Sequence, residues 1–216
     1  MAGTARVEHA GWWGGIVALL LIGAGFFAID AGGTNGPDAP VDLLVNDIVS
    51  TQGRIVTGSI VGVIGATLLI WFASTLRLRL ARDGELGSTI GLAAYGAALL
   101  MSVGALLHAS FRMAMTSVGS LTLAEAMRPL AILGAHSFDV FAWGMIALAV
   151  AVIVAAFAVG LVPRSLAAVG ALICIASFAL APSGHGGALL ALLPWLMGVC
   201  AVLLYRTSTA NTTLAE

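Results

Sequence analysis

Residues 54–82 read RIVTGSIVGVIGATLLIWFASTLRLRLAR, an apolar run from Ile55 to Leu76 that then meets Arg77, Arg79 and Arg82. Crossing about 30 Å of hydrocarbon takes about 20 helical residues, and this run is long enough. Lipid offers no partner to an unpaired amide, so a single segment must satisfy its backbone internally, as a helix does. The polarity does not alternate from residue to residue, as it would in a barrel strand. The arginines mark the return to water.

Working outward, five more runs of the same kind appear, at 11–29, 89–109, 135–161, 165–182 and 188–205. The expected fold is all-α, a polytopic membrane bundle formed by a single six-helix transmembrane domain over residues 1–216. The first run follows Arg6 and extends from Gly11 to Ile29. It exceeds the roughly 7–15 apolar residues of a signal peptide and is read as a span. Composition agrees: 60% of the 216 residues are hydrophobic, 9% are charged, and the mean hydropathy is +1.07. A soluble domain carries about 25% charged residues to solvate its surface. The net charge of −1 leaves no basic stripe for nucleic acid. All nine basic residues are arginine, which we read as genomic base composition.

Arginine placement sets the expected orientation. Arg6, Arg77, Arg79, Arg82, Arg164 and Arg206 fall on one side of the six runs, and Arg54, Arg112 and Arg128 on the other. The richer side is cytoplasmic by the positive-inside rule, so both termini are expected in the cytoplasm of a cell-membrane protein. Asp30, Asp38, Asp42, Asp47, Glu125 and Asp139 collect on the outer side.

Two long connections are expected outside. Gly32-Gly33-Thr34-Asn35-Gly36-Pro37 reads as a turn-rich loop, and Asp38 with Pro40 as a helix start. Val41, Leu44, Val45 and Ile48 recur at helical spacing, which predicts an interfacial helix lying on the membrane before the second span. In the other connection Thr122-Leu123-Ala124-Glu125 fits a capping box that starts a helix, with Glu125 and Arg128 spaced to pair and a kink expected near Pro129. Gly58, Gly62 and Ala66, with Gly65 beside them, form a small-residue stripe of the sort that lets helices approach closely in lipid. Bulk added at Gly62 is expected to overpack such a contact.

The stretch Leu69-Ile70-Trp71-Phe72-Ala73-Ser74-Thr75-Leu76-Arg77-Leu78-Arg79-Leu80, followed by the acidic Glu85, resembles uncharacterised six-span membrane proteins of high-GC bacteria, a domain of unknown function. Pro37-Asp38 and the turn Val162-Pro163-Arg164 look similar too. The resemblance covers nearly the whole chain. It implies a six-helix fold, and it carries over no activity and no catalytic residue.

Candidate chemistry gathers at the outer ends of the spans. His136, Asp139 and Trp143 are spaced i, i+3 and i+7 on one face of the fourth span, and His108 and Arg112 are four apart at the end of the third. His185 sits in Ser183-Gly184-His185-Gly186-Gly187, a turn between the fifth and sixth spans. Neutral imidazoles with one carboxylate suit a zinc-like or copper-like ion. The sharpest expectation is therefore that His108, His136, Asp139 and His185 converge on a transition metal. The plain alternative leaves them scattered at the headgroup layer, wetted or paired with Arg112 or Arg128. Membrane haem usually needs paired histidines within the hydrophobic layer, which the sequence lacks. Ser183 and His185 in one turn do not make a hydrolytic triad, which is defined by geometry. No phosphate-binding loop or dinucleotide fingerprint occurs. Cys174 and Cys200 lie in apolar runs and read as small hydrophobes.

Three functional classes follow. The leading one is a non-enzymatic membrane or envelope component embedded in the lipid bilayer, self-associating or joined to a membrane-protein partner. The others are a transporter or channel for a small solute or ion, and a membrane enzyme or metal-binding protein using the outer histidines. Transport is disfavoured because no span carries a charge at its centre and no matched Gly/Pro breaks repeat in two halves.

Overall fold

The computed structural model describes residues 2–30, 38–120, 124–180 and 191–212 of the chain. Among the described residues six α-helices follow one another: α1 (Ala2–Asp30), α2 (Val41–Leu80), α3 (Gly84–Ser120), α4 (Ala124–Val159), α5 (Arg164–Leu180) and α6 (Leu192–Thr212). Four helical stretches among the described residues are long and apolar enough to cross a membrane: Val7–Asp30, Val41–Val118, Ala126–Val159 and Leu192–Thr209. Arg164–Ser177 is apolar but shorter. The chain is thus an all-α membrane protein.

The longest stretch folds back on itself. A 3₁₀ turn over Ala81–Asp83 leads into Gly84 at φ 86°, a left-handed conformation that glycine adopts without a Cβ clash. The turn from α4 to α5 uses the same device at Gly160, φ 70°, and Pro163 then opens α5 by accepting from Ala167 N–H at 3.2 Å. The first turn lies between the runs that end at Leu76 and start at 89, as expected, and the second begins at Gly160, two residues before the expected Val162-Pro163-Arg164 turn.

Neighbouring helices run antiparallel and touch at glycines. A Cβ built on Gly25 of α1 would sit 2.8 Å from the carbonyl oxygen of Gly58 and 2.9 Å from Cα of Gly62 on α2. One on Gly65 would sit 2.9 Å from the Ala18 oxygen. The small-residue stripe is therefore an internal contact with α1. Gly62 itself departs from expectation: a Cβ there meets nothing within 4 Å, so the close approach is carried by Gly25, Gly58 and Gly65. In the same way a Cβ on Gly104 would fall on the Phe141 backbone, and one on Gly144 on the Met101 backbone, which locks α3 to α4.

Two buried polar side chains bond across helices. Ser102 Oγ donates to the Ala66 carbonyl at 3.1 Å, and Trp195 Nε1 donates to the Leu166 carbonyl at 2.8 Å. Around them Trp12, Phe72, Leu69, Met101 and Phe141 are fully buried, with Trp12 edge-on to Phe72 at 6.0 Å between ring centres.

α2 is 40 residues long, α3 37 and α4 36, each about 55–60 Å at 1.5 Å per residue. All three continue past the end of α1. In that extension Ile48, Ile55, Met115 and Met127 form a second small core, with Val41, Val45 and Leu130 against it. The interfacial helix expected at 41–48 is corrected here. It is the first part of α2, which starts after Pro40, and its apolar face meets α3 and α4 rather than lipid. The periodicity was real, but another protein surface was available to cover it. α4 is described from Ala124 and carries Pro129 inside its first turns. The loop at 32–37, the Thr122–Glu125 capping box with its Glu125–Arg128 pair, and the turn at 183–187 fall outside the described residues or side chains.

Gly58→Leu drives a side chain into the backbone of α1 and is expected to lower stability in detergent by about 1–3 kcal/mol. Gly62→Ala should stay within about 0.5 kcal/mol of the parent. Thermal melts compare the two, and a Gly58→Leu variant that melts with the parent would place the seam elsewhere.

Candidate functional site

The end of α1 carries Asp30, the acidic residue that closes its apolar run. On α3, His108 and Arg112 are one turn apart and face it together. Arg112 donates to Asp30 Oδ1 at 2.8 Å, and His108 Nε2 stands 3.6 Å from Asp30 Oδ2. On its other side His108 Nδ1 lies 3.0 Å from the Gly134 carbonyl of α4. A carbonyl only accepts, so Nδ1 carries a proton and donates. The same carbonyl accepts from Ser137 Oγ at 2.6 Å. Three helices are thus tied by one imidazole and one carboxylate.

The surroundings are aromatic. Phe26 stands 4.9 Å from the His108 ring centre and Phe138 6.2 Å, while Phe26 and Phe141 are 4.6 Å apart. His108 is only 3% exposed, whereas the Asp30 side chain is 41% exposed at the mouth of the cluster. With Nδ1 committed to Gly134, a neutral ring turns the Nε2 lone pair toward the carboxylate, and only a charged ring presents a donor there. The cluster clasps α1 to α3 and α4 through Arg112 and Gly134.

His136 and Asp139 stand elsewhere. Their side chains are 72% and 62% exposed and pair with each other, Nδ1 to Oδ2 at 3.2 Å. Trp143 shares that outward face, as the i, i+3, i+7 spacing required. His108 is therefore buried between helices while His136 faces out from the bundle. His185 lies outside the described residues. Among the described residues no three His, Cys, Asp or Glu side chains stand together as a metal-holding group. Arg112 and Arg128 do not serve His136 or Asp139: Arg112 is held by Asp30, and Arg128 donates to the Ala39 carbonyl at 3.3 Å.

At the opposite end Arg82 pairs with Glu8 of α1, Arg79 with Asp83 at 2.9 Å, and Arg77 lies 5.7 Å above the Tyr95 ring. Arg206 of α6 donates to the carbonyls of Gly160 and Leu161 at 3.1 and 2.9 Å, which caps the C-terminal end of α4. Asp30 as a shared partner went unrecognised in the sequence. The available signal was its position, an acid ending one span on the side where a His/Arg pair ends another.

No family model, no curated protein and no solved structure matches the chain.

Asp30→Asn and Arg112→Gln are each expected to cost about 1–2 kcal/mol, moderated by partial exposure. A double-mutant cycle should give a coupling of about 0.5–3 kcal/mol. His136→Ala and Asp139→Ala should each stay within about 0.5 kcal/mol. Additive losses in the first pair would remove the clasp as a stabilising element.

Proposed function

We propose that the chain is a multi-pass, non-enzymatic component of the cell membrane. It crosses six times with both termini in the cytoplasm, and it holds a three-helix cap on the outer face as an attachment surface within the envelope. The observation that carries this reading is the cap: α2, α3 and α4 continue as unbroken helices past the end of α1 and enclose a core of their own around Ile48, Ile55, Met115 and Met127. A chain that only needed to cross the bilayer would not require that second core. Leu43, Val49, Met113 and Ile132 are exposed on these extensions, which suits a partner surface.

Two further features support it. The arginine-rich loops coincide with the end of the bundle where Glu8 meets Arg82 and Arg206 meets the α4–α5 turn. That end is cytoplasmic by the positive-inside rule. Large side chains and close glycine contacts fill the space between helices, a rigid packing that favours a structural role over a solute path.

Topology is tested in a cysteine-free background, Cys174→Ala with Cys200→Ala. Gln52→Cys should react with an impermeant thiol reagent on intact cells, and Glu85→Cys only after permeabilisation; the reverse pattern would invert the orientation. Vesicles reconstituted with the protein should hold ion and solute gradients as long as empty vesicles. A faster leak would replace the structural role with transport.

A further inference from the structure

A shallow groove of about 480 Å³ lies where α2 leaves the end of α1, lined by Ala28 of α1 and by Ser50, Thr51, Gly53, Arg54 and Thr57 of α2. Its depth is set by α1. Ala28 lies two residues before Asp30, the residue that ends the apolar run, so the groove opens at the boundary between hydrocarbon and headgroups. Arg54 differs from its neighbours at this end of the bundle: Arg112 is held by Asp30 and Arg128 by the Ala39 carbonyl. Arg54 is exposed, and neither it nor Thr57 has an ion pair or side-chain hydrogen bond among the described residues. Ser50 and Thr51 donate their hydroxyl protons to the Asp47 carbonyl at 3.0 and 2.6 Å, which leaves their oxygen lone pairs free to accept. Gly53 adds no side chain, and a Cβ there would meet nothing within 4 Å.

The surface continues into the apolar layer. Thr57, Ile60, Ile64, Thr67 and Trp71 follow one another at three- and four-residue spacing along one face of α2 and are exposed, with Ile60 53% and Ile64 50% accessible. The seam with α1 runs beside this face, since a Cβ on Gly14 would stand 3.3 Å from the Trp71 ring. A polar pocket with one uncommitted cation therefore stands directly above an apolar track.

We propose that this groove is a binding site for an anionic phospholipid with a hydroxyl-bearing headgroup, of the phosphatidylglycerol class. Arg54 and the Thr57 hydroxyl donate to the phosphodiester, Ser50 and Thr51 accept from the headgroup hydroxyls, and an acyl chain lies along Ile60, Ile64 and Trp71. The guanidinium suits a phosphate because its planar fork offers two parallel donors. The occupant is a lipid rather than a free anion because the charged end is continuous with exposed apolar surface at hydrocarbon depth. The proposal rests on the membrane-embedded reading of α1 and α2.

The test uses the full chain purified in mild detergent and titrated with phosphatidylglycerol, phosphatidylcholine or inorganic phosphate, with bound lipid counted by native mass spectrometry. The parent should retain phosphatidylglycerol in preference to phosphatidylcholine. Arg54→Gln should weaken that retention at least about fivefold, the factor one arginine supplies near a charged leaflet. Arg54→Lys should keep part of it, and Gly53→Leu should block the groove without removing charge. Both neutral variants should melt with the lipid-free parent, which separates lost binding from lost folding. Equal retention by Arg54→Gln and the parent, or displacement of the lipid by inorganic phosphate, would overturn the proposal. Failure of the membrane reading itself would show separately, as parent protein released from membranes by alkaline carbonate.

Discussion

Helices in lipid gain nothing from hiding apolar surface from one another, because the acyl chains are equally apolar. What holds them is close packing and the few polar bonds that lipid cannot replace. This chain meets that constraint with glycine. At Gly25, Gly58 and Gly65 the backbones of α1 and α2 approach until a single added carbon would strike a neighbouring carbonyl or Cα. Gly104 and Gly144 do the same for α3 and α4. These two glycine seams set the spacing of the four helices that make the body of the bundle. Ser102 adds a hydroxyl-to-carbonyl bond between α2 and α3, which joins the two seams.

The ends of the bundle are fastened by charge instead. At one end the Asp30 carboxylate faces Arg112 and His108, and the His108 ring is pinned to α4 through Gly134. At the other, Glu8 meets Arg82, and Arg206 reaches the Gly160 and Leu161 carbonyls in the turn after α4. Charges are cheapest where water can still reach them, and the Asp30 and Arg112 side chains keep 41% and 28% exposure. His108 is the exception. It is buried beside Phe26 and Phe138, with Nδ1 bonded to the Gly134 carbonyl and Nε2 facing the Asp30 carboxylate at 3.6 Å.

Beyond the end of α1, α2, α3 and α4 have only one another to pack on, and apolar residues at helical spacing meet there. Ile48, Ile55, Met115 and Met127 form a second core, separate from the main one. The groove at Arg54 lies where α2 leaves the end of α1.

The sequence by itself determined the helical class, the membrane as solvent, and a break after the Arg77, Arg79 and Arg82 cluster and another about Val162-Pro163-Arg164, because each depends on local properties: the length of an apolar run, the charge that ends it, a proline at a break. It also placed His136, Asp139 and Trp143 on one face, since helical spacing is local. It did not determine which way that face looks, and the structure turns it outward while His108 turns in. Nor did it reveal that Asp30 meets a His/Arg pair far along the chain, or that residues 41–48 pack on α3 and α4 instead of lying on lipid. Those outcomes depend on the rotation of each helix about its own axis and on which neighbour lies alongside. Both are set by where backbones can approach, and in this chain the glycines of facing helices decide that jointly.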